Sequence, residues 1–164
     1  SLHDALPIYR CKTHTMKSTM AYEKGIIMTI TIESIDTQNQ EYFIFFYIHN
    51  TYQPGMPNAE LYDITRQYWY HVARAVRHGK TPYQTALGVV DGQVVSAYKI
   101  ESWHQAGETE SSRNVQTTLT NGTENWWEFT GTEIPNHRLL NCVITRDGEP
   151  IPNQQVGFTY HPPR

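Results

Sequence analysis

The chain has 164 residues, a formal charge of −3, and an aromatic content enriched by eleven Tyr and four Trp. That length suits one domain with one buried core. The weak negative charge argues against a wholly basic nucleic-acid binder but leaves room for a local basic patch, and no run of about 18 apolar residues is present to span a membrane.

The opening residues Ser1–Ile8, SLHDALPI, resemble the conceptual translation of a sequencing adapter, which implies an assembled, metagenomic source. Residues 1–20 are therefore set aside as an artefactual or disordered extension, and Met16, Met20 and Met28 are the candidate starts. One domain is expected over residues 21–164. Cys11 and Cys142 are far apart and form no Cys-x-x-Cys pair, so neither a zinc ribbon nor a disulfide framework is expected. Such cysteine usage suits a reducing compartment, the cytoplasm.

Ile26 to Ile35 alternates and is rich in Ile and Thr, which predicts a strand. The polar run from Asp36 to Gln40 predicts a turn. Tyr42 to Ile48, YFIFFYI, is apolar on both faces and predicts a central strand. These two strands are expected to pair as a hairpin. Asn50 to Pro57 reads as a loop.

Asn58 is a suitable helix cap, and Glu60 places negative charge in the first turn. Leu61, Ile64, Tyr68, Val72 and Val76 recur at helical spacing, which predicts one main helix that continues to a stop at Gly79. Arg66 lies four residues from Tyr62 and Tyr70 and three from Trp69, a spacing at which a guanidinium stacks on rings.

Tyr83 to Val90 and Gln93 to Glu101 read as strands joined at Asp91-Gly92, a pair suited to the positive φ of a two-residue turn. Trp103 to Gly107 is expected to leave the sheet as a loop, followed by the polar segment Glu108 to Arg113. Val115–Thr120 and Trp126–Thr130 are expected to pair across Asn121-Gly122, which makes the sequon at Asn121 a turn. Arg138–Thr145 and Val156–Tyr160 are expected to pair across Asp147-Gly148. The expected fold class is α+β: a small, mostly antiparallel β-barrel with one main helix, closed or half-closed to remove exposed edges.

No acid stands between Asp63 and Asp91, while Arg66, Arg74, Arg77 and Lys80, with His71 and His78, form a cationic run. Such a run neutralises phosphates, or is simply a solvated helix face. Trp69, Trp103, Trp126 and Trp127 offer rings on which bases stack, or fill the core. Trp126 and Trp127 are adjacent in a strand and face opposite sides. Trp103 is the expected pocket ring, and Arg66 is expected to clamp structure before it contacts a ligand. His104, near Lys99, Glu101 and Glu128, is a candidate acid–base group or a surface histidine. Ser102 lacks a nucleophile elbow. The remaining histidines lack HxxxH or HExxH spacing, so neither metal nor cofactor is expected.

Taken together, LYDITRQYW at 61–69, then Tyr83, Ala86, Gly92, Val95, Tyr98 and Ile100, ESWHQAG at 101–107 and WWEFTG at 126–131 resemble a family of small domains. They occur alone or after GIY-YIG-type nuclease domains in bacterial and mobile-element proteins. The resemblance covers about residues 43–160. It implies that the expected α+β fold is a small PUA-like barrel, the class that includes ASCH, EVE and YTH modules, which bind RNA or modified bases. Trp126 stands where that family has a basic residue, and Gln155 to Tyr160 replaces its final Asn-Pro-x-x-Tyr. The GIY-YIG signature is missing, so nuclease activity is not carried over.

The leading expectation is a non-catalytic module that binds RNA, DNA or an unpaired or modified base. Arg66, Arg74, Arg77 and Lys80 would hold the backbone, and Trp103 and Trp126 would stack. The alternatives are an ASCH-like ribonuclease using His104 and Lys99, and a protein-interaction module of a phage or mobile element with an exposed apolar patch.

Overall fold

The computed structural model describes residues 19–22, 25–38, 40–113, 124–155 and 157–164. In chain order the elements are β1 (Thr19–Tyr22), β2 (Gly25–Thr31), α1 (Ile32–Gln38), β3 (Phe43–Tyr47), α2 (Asn58–Arg66), β4 (Trp69–Tyr70), α3 (Arg74–Arg77), β5 (Thr85–Val90), β6 (Gln93–Gln105), β7 (Trp126–Glu133), β8 (Val143–Arg146), β9 (Glu149–Pro150) and β10 (Phe158–His161). Among the described residues the fold is sheet-rich with three helices, within the expected α+β class. The expected N-terminal extension, up to residue 18, and the expected hairpin across Asn121-Gly122 lie outside the described residues.

The run YFIFFYI is central, as its two-sided apolar character requires: all five residues of β3 are buried between β5 and β10. Phe43, Phe45 and Tyr47 enter one core with Ile30, Ile32, Ile35, Leu87 and Ile144. Ile44, Phe46 and Ile48 enter another with Ile64, Trp69, Val76 and Phe129. The alternation of a strand thus serves two cores on opposite faces of one sheet.

Asp91 (φ 49°) and Gly92 (φ 80°) occupy the left-handed region and join β5 to β6 as an antiparallel hairpin. A side chain at Gly92 would also meet Pro150 Cβ at 2.9 Å.

Several expectations are corrected. The apolar run from Ile26 ends as a strand at Thr31 and turns into α1, with the Ser34 amide donating to Thr31 Oγ1 at 3.3 Å. β2 and β3 do not form a hairpin. Instead β2 runs parallel to β8 (Thr29↔Val143) and β3 parallel to β5 (Phe43↔Thr85). β10 pairs with β3, while β8 turns at Asp147-Gly148 into the short β9. The sheet is therefore mixed. It follows β1-β2-β8-β6-β5-β3-β10, with β7 on the far half of β6, and is open among the described residues.

The expected single helix is two helices with a strand between them. α2 stops at Arg66 because Gln67 is extended and Tyr68 is left-handed (φ 64°). Trp69 Nε1 donates to the Thr65 carbonyl at 2.9 Å and satisfies one of the helix's last acceptors. Trp69 and Tyr70 then pair with Trp127 and Trp126 as β4, and His71 (φ 56°) turns the chain toward α3. Burial of Trp69 against Phe46, with ring centroids 4.7 Å apart, outweighs helix continuation.

Cys142 is buried and disulfide-bonded. No helix among the described residues is long and apolar enough to cross a membrane.

Candidate nucleic-acid interface

Strand alternation sorts the aromatic candidates onto two faces. Trp103 is paired with Phe129 in the β6–β7 ladder, so the two share a face, and their ring centroids are 5.4 Å apart. Trp127 is two residues from Phe129 and joins them. Trp126, Glu128 and His104 take the opposite face. Trp103 thus stands in a strand and not in the expected loop; the sheet extends to Gln105 because Trp103 and Phe129 pack on Phe46.

Arg77 closes over the first face. Its guanidinium carbon lies 3.6 Å from the Trp127 ring centroid, and its Nε donates to the Val72 carbonyl at 3.0 Å. Burial, and then the neighbouring charge of Arg74, lower its pKa. Beside it is a cleft of about 330 Å³ lined by Val76, Arg77, Tyr83, Lys99, Glu101 and Trp103. Glu101 accepts a hydrogen bond from Thr132 Oγ1 at 2.5 Å. Arg74, His78 and Lys80 are exposed and line an adjoining stretch of surface around an open hollow of about 490 Å³.

The structure therefore gathers Arg77, Lys99 and Trp103 at one cleft, with Arg74 and Lys80 exposed on the Arg77 segment. The other candidates stand apart from it. Trp126 is half-buried on the opposite face, with its ring 5.0 Å from Tyr70. His104, also on that face, bonds Thr130 Oγ1 through Nε2 at 3.1 Å and does not line the cleft beside Lys99.

Arg66 is 1 % exposed and is a clamp inside the fold. Its Nε donates to Asp63 Oδ1 at 2.7 Å, and Nη1 donates to Thr109 Oγ1 at 2.6 Å and to the Phe129 carbonyl at 3.4 Å. Nη2 donates to the Glu110 carbonyl. The Thr109 amide and hydroxyl both donate to Glu128 Oε1, at 2.9 and 2.8 Å. Asp63 Oδ2 accepts from the Ser112 amide at 2.7 Å and its hydroxyl at 2.5 Å. Burial would raise the Asp63 carboxyl, but Ser112 and Arg66 together hold it below the usual carboxylate value. This knot fastens the strap Thr109–Ser112 across α2 and β7. With its donors turned inward, Arg66 presents no surface to a phosphate.

Sequence reading passed over Trp127 as the ring beneath Arg77. Its even spacing from Phe129 was the available signal. Asp63, three residues before a buried arginine, and Glu128, inside the apolar run WWEF, were the signals for the knot.

The largest hollow among those described, about 610 Å³, lies elsewhere, near the Asp91-Gly92 turn. It is lined mainly by Ile27, Tyr52, Val90, Val95 and Val143, and no tryptophan, lysine or arginine among the described residues lines it. Among the described residues, no group of three His, Cys, Asp or Glu side chains is placed to hold a metal ion. Neither a protein family, nor a curated protein, nor a solved structure matches the chain.

Proposed function

We propose that this chain is a nucleic-acid-binding module with a PUA-like kinship, and that it binds single-stranded or unpaired segments. The kinship rests on the residue pattern at 61–69, 101–107 and 126–131. The observation that carries the binding reading is the stack of Arg77 on Trp127 beside the Trp103 cleft, flanked by Arg74, Lys80 and Lys99. Cations that track a backbone, next to a half-buried ring open to a cleft, are the two components of sequence-tolerant strand binding. Arg74 and Lys80 meet phosphates, Arg77 and Lys99 border the base, and Trp103 stacks.

Two other readings have less support. A ribonuclease needs His104, Lys99 and a carboxylate in one cleft, and His104 faces away from it. An interaction module needs an apolar patch, and Tyr70 is the one large apolar side chain exposed among the described residues.

Fluorescence anisotropy with short single-stranded RNA and DNA tests the proposal. Binding at low salt that is lost in the double variant Arg74→Glu, Arg77→Glu supports it. No binding at low salt, or binding indifferent to that double variant, overturns it.

A further inference from the structure

A second cleft, of about 250 Å³, shares no lining residue with the Trp103 cleft. It lies where the end of α2 meets the segment that precedes β10. Its wall is unusual in composition: Asn50, Gln67, Gln154 and Gln155 contribute carboxamides, Arg113 contributes a guanidinium, and no carboxylate lines it. Gln67 is 4 % exposed, and its Oε1 already accepts from Ser111 Oγ at 3.1 Å. That leaves the Gln67 amide NH₂ as the donor available to the cleft. Arg113 forms no ion pair with a carboxylate among the described residues. His49 also lines the cleft, and its buried Nδ1 has no hydrogen-bond partner among the described residues.

Tyr68 lines the same cleft in a left-handed conformation (φ 64°), which costs a non-glycine residue on the order of 1 kcal/mol. Packing explains why the chain tolerates this, since the strained residue lets Trp69 enter the core. A consequence is that a phenol ring is presented at a hollow lined with amides.

We propose that this cleft binds a nucleoside monophosphate, either free or as the end of a strand. Carboxamides pair with the donor and acceptor edge of a base, as Asn and Gln do with adenine. A guanidinium matches a phosphate with paired donors. The volume falls below the roughly 300–1,000 Å³ of sites for drug-sized ligands, so it admits one nucleotide and not two. An uncompensated Arg113 and the lack of carboxylates favour an anion over a cation. The inference does not depend on the basic face around Arg77, because the two sites share no residue.

Isothermal titration of the intact chain tests it, with AMP, GMP, CMP and UMP, with adenosine, and with inorganic phosphate. At least one monophosphate binds, more tightly than either adenosine or phosphate alone. Arg113→Gln weakens that monophosphate by about tenfold or more and leaves adenosine nearly unchanged. Gln154→Leu with Gln155→Leu weakens both. These positions lie at or near the surface, and an unchanged melting temperature establishes that the variants fold. Competition by a 5′-phosphorylated dinucleotide assigns the site to strand ends, and its failure to compete assigns it to free nucleotides. Phosphate binding as tightly as every monophosphate overturns the proposal, as does the absence of heat with all ligands, or equal affinity in wild type and Arg113→Gln.

Discussion

The Arg77 guanidinium carbon lies 3.6 Å from the centre of the Trp127 ring, although the two residues are fifty positions apart in sequence. The contact ties α3 to β7 and gives the cationic segment a fixed place beside the Trp103 cleft. Replacing Trp127 with Leu removes the ring quadrupole from beneath the cation. A loss of about 0.5–2 kcal/mol in stability is expected, read as a lower urea midpoint at unchanged slope. An unchanged midpoint would mean that the contact contributes nothing.

Trp103 is the ring on which a base is expected to stack. Trp103→Leu keeps an apolar side chain against Phe129 and removes the flat surface. Single-strand affinity should fall by about 1–3 kcal/mol, a factor of roughly 5 to 150. Trp126→Leu, on the opposite face, should leave affinity nearly unchanged. Equal losses for both variants in an anisotropy titration would refute the assignment of faces.

Arg66 is expected to govern stability and the placement of the strap, and to affect ligand binding only through the fold. Arg66→Met leaves Asp63 buried without its cation. Removing one partner of a buried pair costs about 3–5 kcal/mol. Chemical denaturation measures this loss, and hydrogen exchange should show the amides of Thr109 and Ser112 deprotected first. A loss below about 1 kcal/mol would place the knot among weak surface pairs.

Acidification should destabilise the fold. Burial, with Arg138 adding to it, holds His137 below the ordinary 6.5, and burial lowers His161 despite Asp36 nearby. A histidine whose folded pKa is depressed favours the neutral form. Its contribution is therefore fully present above about pH 6.5 and is lost as pH falls through the folded value. Asp63, lowered from 3.8, acts in the same direction at more acidic pH. Denaturation midpoints should thus decline from pH 7 to pH 5 and fall further below pH 4. A midpoint that rises between pH 7 and pH 5 would show that the Asp36 attraction outweighs burial at His161.

Much of the fold was legible where the determinants are local. Asp91-Gly92 marks its own hairpin, and YFIFFYI marks its own central position. The start of α2 was legible only approximately: Asn58, expected as the cap, is the first helical residue, and Pro57 holds the cap position with no side-chain cap bond. The rest depends on partners distant in sequence. Nothing near Trp69 indicates that Trp127 will pair with it, yet that pairing turns the continuous helical pattern of Tyr68 and Val72 into α2, β4 and α3. The parallel match of Thr29 with Val143 leaves no mark in either segment, because parallel strands carry no shared turn. The basic run was visible as composition. Its division into a buried Arg66, a stacked Arg77 and an exposed Arg74 and Lys80 needed the break at Gln67, which changes the face that each side chain presents.

The salt dependence of single-strand binding tests the central claim most directly. For single strands, the logarithm of affinity falls with the logarithm of salt by about 0.7 per phosphate neutralised. If Arg74 and Lys80 meet phosphates, Arg74→Gln with Lys80→Gln should lower the magnitude of that slope by about 1.4, with the melting temperature unchanged. A wild-type affinity that does not change with salt, or a double variant with the wild-type slope, contradicts a basic nucleic-acid face on this chain.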